Sequence, residues 1–368
     1  MTELTGNKGE WSEIYAFLRI IADGRLYGAD GNTNKKDDLY YDIIKVIRKE
    51  EEEPLDYVIS KDGRTAEIKS GDKTLLTIDR SSFVEEADYL LDVIKNSNGR
   101  SFSSPRTQEF MTKIRCLKMK APSSDKSDIT IQIHDFRTNM DPILGFSIKS
   151  KLGHASTLLN AGKTTNMLFV LNGEITPYLT EEGEKNYEKN DRVITRLSEV
   201  YSAIEETGVS FDYVGAENEI FEGNLTMIDS NMPKIVAEML KLHYIKGISK
   251  VEDQVNELNR TNPLKYKDAD KRQIYQYKIK KFLASVALGM KPATDWDGKE
   301  DANGGYIIVK EDGEVLCYHV YNRNDFEDYL FKNTKLDTPS TSRYDFSEIY
   351  KGEDDRYYVK LNLQIRFR

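Results

Sequence analysis

Asp128 opens an alternating stretch carrying Ile129, Ile131 and Ile133, and Ser147 and Lys149 flank Ile148 in a second apolar stretch. Side chains two apart on a strand share a face, so Ser147 and Lys149 point together. If the two strands are neighbours in a sheet, Asp128 lies beside them. A carboxylate and a lysine at one sheet end suit phosphodiester hydrolysis. The carboxylate holds Mg²⁺, which takes oxygen ligands and keeps several waters. The ion polarises a phosphoryl oxygen and lowers the pKa of a bound water, and the lysine orients that water or stabilises charge growing on the phosphate. Ser147 reads as a wall of such a site, because no motif supplies a base that would make it a nucleophile. Asp135 and Asp141 are rival first carboxylates, but Asp141 stands only six residues before Ser147, short for two separate strands. Gln132 and His134 share the face of Asp128.

Two glutamates, Glu10 and Glu13, stand in Asn7-Lys8-Gly9-Glu10-Trp11-Ser12-Glu13, three apart and hence on one helix face. Glu10 has a structural role open to it. With Asn7 as N-cap it stands at the third helical position, where a glutamate closes a capping box.

The elements that must position these groups follow from periodicity. Residues 7–22 read as an amphipathic helix with Trp11, Ile14, Tyr15, Leu18 and Ile21 inward, ended by Gly24. Residues 37–49 read as a second helix, with Leu39, Ile43, Ile44 and Ile47 inward, broken by the charge run at 50–54. Three short strands at 55–61, 65–69 and 74–79 are separated by Asp62-Gly63 and Ser70-Gly71-Asp72. Helices are expected at 82–95, 106–119, 192–206, 233–247 and 272–288. The two central strands span 128–135 and 144–151, with a helical turn at 156–161 and a buried strand at 166–171. The stretch 289–305, with Asn303-Gly304-Gly305, reads as the best internal boundary. A hairpin at 306–310 and 314–321, a short helix at 325–332 and a last strand at 357–367 follow. The class is α/β or α+β: a central mixed sheet flanked by helices, with an additional helical region and a C-terminal β-hairpin. The expected divisions are 1–172, a catalytic core; 173–303, a helical region; and 304–368, a C-terminal recognition and closing segment able to complete the core.

Composition narrows the class further. The 368 residues suffice for a substantial core. Two cysteines rule out a disulfide scaffold and a four-cysteine zinc site, and fit a reducing cytoplasm. No apolar run approaches the ~20 residues that span a bilayer, so no membrane partner is expected. The net charge of −9 argues against non-specific nucleic-acid binding, yet its distribution points elsewhere. Residues 101–172 hold ten Lys/Arg against five Asp/Glu, and residues 173–260 nine against eighteen. A basic segment inside an acidic chain is compatible with a local anion-binding face, or with chance unevenness on solvated surfaces.

The Asp128 and Ser147-x-Lys149 arrangement resembles the PD-(D/E)xK nuclease superfamily, with Ser147 departing from its usual acid; some restriction enzymes of that superfamily supply the second acid from elsewhere. Three segments resemble the HpaII-type restriction endonucleases more closely: Gly6-Asn7-Lys8-Gly9-Glu10-Trp11; Gly145 to Gly153 running into Ser156-Thr157-Leu158-Leu159-Asn160; and Thr338-Pro339-Ser340-Thr341-Ser342-Arg343 with the ending Lys360 to Phe367. The resemblance implies a Mg²⁺-dependent type II enzyme cutting double-stranded DNA at a short palindrome, CCGG-related, and leaving a 5′-phosphate. It also implies a homodimer and a cognate methyltransferase that protects host DNA. On this reading Asp128, Lys149, Glu10, Glu13 and Ser147 form the catalytic set, with Asp128 and Glu10 as metal ligands. Lys151, Asn160, Lys163, Ser340 and Arg343 are candidate DNA contacts, Arg343 being suited to a guanine O6/N7 pair or to a phosphate. A non-catalytic DNA-binding protein with a decayed site is the rival, and a repair or modification-dependent nuclease a third reading. The discriminator is whether Glu10 or Glu13 comes close to Asp128.

Overall fold

The computed structural model describes residues 3–50, 54–120, 127–175, 201–300 and 302–368. Most of the helix expected at 192–206 lies outside them. The chain forms two compact units, Met1–Ser156 with Glu300–Tyr329, and Thr157–Lys299 with Leu330–Arg368. The expected division at 172 is thus drawn instead after Ser156, and residues 300–329 join the first unit.

The first unit is built on a nine-stranded mixed sheet. Its order is Arg25–Ala29, Val315–His319, Gly305–Val309, Ile143–Ser150, Ile129–His134, Lys35–Lys49, Pro54–Ile59, Thr65–Ser70 and Lys73–Asp79. Arg25–Ala29 pairs a second time, antiparallel with the first half of Lys35–Lys49, so the first six strands close into a ring. The helix Lys8–Asp23 packs on this sheet. Its start is a complete capping box between Asn7 and Glu10, and Gly24, at φ 66°, ends it. Trp11, Ile14, Leu18 and Ile21 are fully buried in a core shared with the sheet and with Phe83, Leu90 and Ile94 of the helix Arg80–Asn96.

Residues 35–49 form a 15-residue strand, not the expected helix. The buried positions are Leu39, Tyr41 and Ile43, then Val46 and Arg48. The pairing register shifts between Ile43 and Lys45, which moves the inward phase by one residue. A bulge of this kind makes a period of two look like spacings of three and four. Glu50, which follows the strand, is structural: Arg48 and Glu50 are both buried and paired at 3.0 Å. Glu50 accepts the N–H groups of Leu117 and Lys118, and Arg48 donates to the Lys118 carbonyl. The helix at Pro105–Lys113 is accordingly shorter than the spacing predicts, and 114–120 runs as a strap fixed to this pair.

The boundary expected at 289–305 delivers a hairpin into the sheet. Gly305–Val309 runs parallel to Ile143–Ser150, with Tyr306 opposite Ser147 and Ile308 opposite Lys149. A Cβ on Gly304 would stand 2.7 Å from the Gly145 carbonyl oxygen, and Gly305 adopts φ 106°. Only glycine lets the backbone approach this closely and turn this way.

The second unit holds two antiparallel sheets. One orders Ser210–Ala216, Asn166–Asn172, Tyr357–Asn362 and Ile349–Lys351; the other orders Thr157–Leu159, Ile365–Phe367 and Thr334–Leu336. The turn expected at 156–161 is therefore a strand, and the last expected strand is split between two sheets. Helices Glu219–Ile228, Met232–Tyr244, Val251–Thr261 and Ile274–Leu288 accompany them. Among the described residues no helix is long and apolar enough to cross a membrane.

Candidate active site

The two central strands are antiparallel neighbours, with Ile129 opposite Phe146, and the Asp128 N–H donates to the Phe146 carbonyl at 2.9 Å. This register brings Asp128 to Ser147. The Ser147 hydroxyl donates to Asp128 Oδ2 at 3.0 Å, and the Ile148 N–H donates to the same oxygen at 2.6 Å. Ser147 thus anchors the carboxylate, while the hydrogen bonds to Oδ2 leave Oδ1 free of them. Lys149 projects from the next position on that face and lies 5.3 Å from the centroid of the Tyr306 ring. Burial pulls its pKa down from the usual lysine value, against the opposing pull of Asp128 and Glu13.

The first helix brings Glu13 to the same place. Its pKa is pushed up to about 7, first by burial and then by the negative charge of Asp128, with Lys120, Arg48 and Lys149 opposing. A bond across the helix–strand joint fixes this position. Ser12, fully buried, accepts a hydrogen bond from the Ser150 hydroxyl at 2.8 Å, so the residues beside Glu13 and Lys149 are tied together. Glu10 is differently engaged. Its carboxylate accepts the Asn7 N–H at 2.7 Å and pairs with Lys120. Burial pulls its pKa up, but Lys120 and the Asn7 N–H outweigh this and hold it below the ordinary value.

The rival carboxylates are spoken for. Asp135 is buried and accepts the Arg137 N–H and the Thr138 hydroxyl, which shapes a turn. Asp141 pairs with His134 at 2.7 Å.

Among the described residues no group of three or more His, Cys, Asp or Glu is placed to share a metal ion. The donor set is two carboxylates, Glu13 and Asp128, whose mutual repulsion a cation would relieve. That set fits a hard divalent ion such as Mg²⁺, which binds through one or two carboxylates and completes its shell with water and substrate phosphate.

Of the expected DNA contacts, Lys151 follows the Ile143–Ser150 strand in the first unit, its N–H donating to the Val309 carbonyl. The other four lie in the second unit. Asn160 and Ser340 are exposed, Lys163 reaches Asp345 at 3.5 Å, and the Arg343 guanidinium stacks on Tyr344. Asn166, another polar residue of that stretch, is fully buried and donates to Glu217, so it braces the unit. Sequence reasoning passed over Lys120 and the Arg48–Glu50 pair. Lys120 sits in the basic segment, but nothing in a linear pattern joins it to Glu10.

A family model described as HpaII restriction endonuclease matches residues 7–367. The chain belongs to the HpaII restriction endonuclease family. It is 42% identical over 370 residues to the type II restriction enzyme HpaII of Haemophilus parainfluenzae, with all of both chains covered. It is therefore a site-specific endonuclease, and the non-catalytic alternative falls away. No solved structure matches the chain.

Proposed function

We propose that this HpaII-family enzyme hydrolyses phosphodiester bonds of double-stranded DNA with a divalent metal, Mg²⁺, held by Glu13 and Asp128. The observation that supports it is the convergence of Glu13, Asp128 and Lys149, from a helix, a strand start and a strand, onto one half-buried point where each shifts or opposes the others' charge. When bound, the ion supplies charge neutralisation at the phosphate and an acidified water. Asp128 is held for that task by Ser147 and the Ile148 N–H. Lys149, with Tyr306 as one wall, orients the attacking water and meets the charge growing on the phosphate. Glu13 occupies the place of the acid missing at Ser147, and Glu10 serves the site by capping the helix and holding Lys120.

The substrate on this reading is a short palindrome, CCGG-related, cut by a homodimer whose two-fold axis matches that of the DNA, leaving 5′-phosphates, with a methyltransferase as functional partner. Lys151, Asn160, Lys163, Ser340 and Arg343 are proposed DNA contacts. Plasmid cleavage with Mg²⁺ tests it. Discrete fragments are expected from the wild type and none with EDTA, Lys149→Ala or Asp128→Ala. Sequencing the ends gives the site, and intact activity of either variant would sink the assignment.

A further inference from the structure

A cleft of about 1080 Å³ opens beside the catalytic groups, and Glu13 and Lys149 line it. Its other charged walls are Lys8, from the first turn of the first helix, and Arg100, from the exposed turn that follows the helix Arg80–Asn96. Neither cation makes an ion pair among the described residues, and no carboxylate other than Glu13 lines the cleft. Lys8 is also fixed in place. A Cβ on Gly153 would touch Lys8 Cβ at 3.0 Å, so the loop after the Lys149 strand packs against the start of the helix.

We propose that Lys8 and Arg100 form a phosphate-binding wall that takes backbone phosphates of the strand entering the cleft, without reading its bases. The proposal rests on the nuclease reading of the Glu13–Asp128–Lys149 site and says which side chains hold the polyanion beside it. A phosphate fits because both groups are cationic donors that line the same cleft. Such contacts position a duplex and carry no sequence information.

The test is fluorescence anisotropy in EDTA, where no cutting occurs, across a salt series. The probes are a labelled duplex containing CCGG and a scrambled duplex of equal composition. Lys8→Ala and Arg100→Ala should each weaken both duplexes by the same factor. Each should also lower the slope of log K against log salt by about 0.9, and the double variant by about twice that. Lys8→Arg and Arg100→Lys should retain the wild-type slope. An unchanged slope in the double variant overturns the wall. So does a loss confined to one duplex, or an equal loss from Lys73→Ala, an exposed lysine on the outermost strand of the sheet. Cleavage with Mg²⁺ run in parallel separates the two readings. Wild-type cutting with an unchanged slope in the double variant removes the wall alone. An inert wild type removes the nuclease reading, while the slopes still decide the wall.

Discussion

Glu13 is placed where a carboxylate is costly without a cation beside it. Its pKa of about 7 means that the folded, metal-free protein binds a proton there which the unfolded chain has lost above about pH 4.5. Stability contributed by that proton is present at low pH and is lost as pH rises from 4.5 through 7. Glu13→Gln should therefore raise the melting temperature in EDTA at pH 8, by up to roughly 3 kcal/mol of stability, while abolishing cleavage. A variant that cuts normally, or that melts below wild type, would contradict this. The same group sets the pH dependence of metal binding. Below pH 7 a proton competes with the ion, so apparent Mg²⁺ affinity should fall about tenfold per pH unit and level off above 7; isothermal titration from pH 6 to 8.5 measures it. Strand alternation alone puts Ser147 and Lys149 on one face in the sequence, whereas Asp128 joins them only through the register of the neighbouring strand. The choice between Glu10 and Glu13 was not legible there, since both occupy one helix face and only the Lys120 strap separates their roles.

At the scale of elements, the site depends on joints between segments far apart in the chain. The Lys149 strand has Ile129–His134 on one side and Gly305–Val309 on the other. The second joint turns on Gly305, where a Cβ would lie 2.0 Å from the Tyr318 carbonyl oxygen. Backbone cannot yield as a flexible side chain would, so Gly305→Ala should cost about 3 kcal/mol or more, read as a fall in the urea midpoint, with cleavage lost in parallel. Helices with caps and strands with turns, such as Lys8–Asp23 and Thr65–Ser70, could be read from local pattern. The Lys35–Lys49 strand could not, because its bulge imitates helical spacing. Asn303-Gly304-Gly305 has the composition of a linker, yet its glycines serve close packing, which only the partner strand makes visible.

Over the whole molecule, acid acts through two buried histidines. His319 in the first unit stacks on Tyr41, and His243 in the second is held between Ser249 and Thr338. Burial lowers both pKa values to about 4. Between pH 6.5 and 4 the unfolded chain takes up protons that the folded one refuses, so these groups make stability fall with acidity, by up to roughly 3 kcal/mol each. His319→Phe, which preserves the ring against Tyr41, should flatten the acid limb of the urea midpoint between pH 7 and 5; an unchanged limb would show that His319 titrates freely. The closed strand ring has a consequence for synthesis. Its Gly305–Val309 member leaves the ribosome about 150 residues after the Lys149 strand. At ~5–20 residues per second that is roughly 8–30 s. Through that interval the nascent chain carries all three catalytic side chains beside an unpaired edge. Translation thus imposes a delay between making the cutting residues and completing the sheet that holds them, and a chain terminated before Gly305 should be released unable to cut.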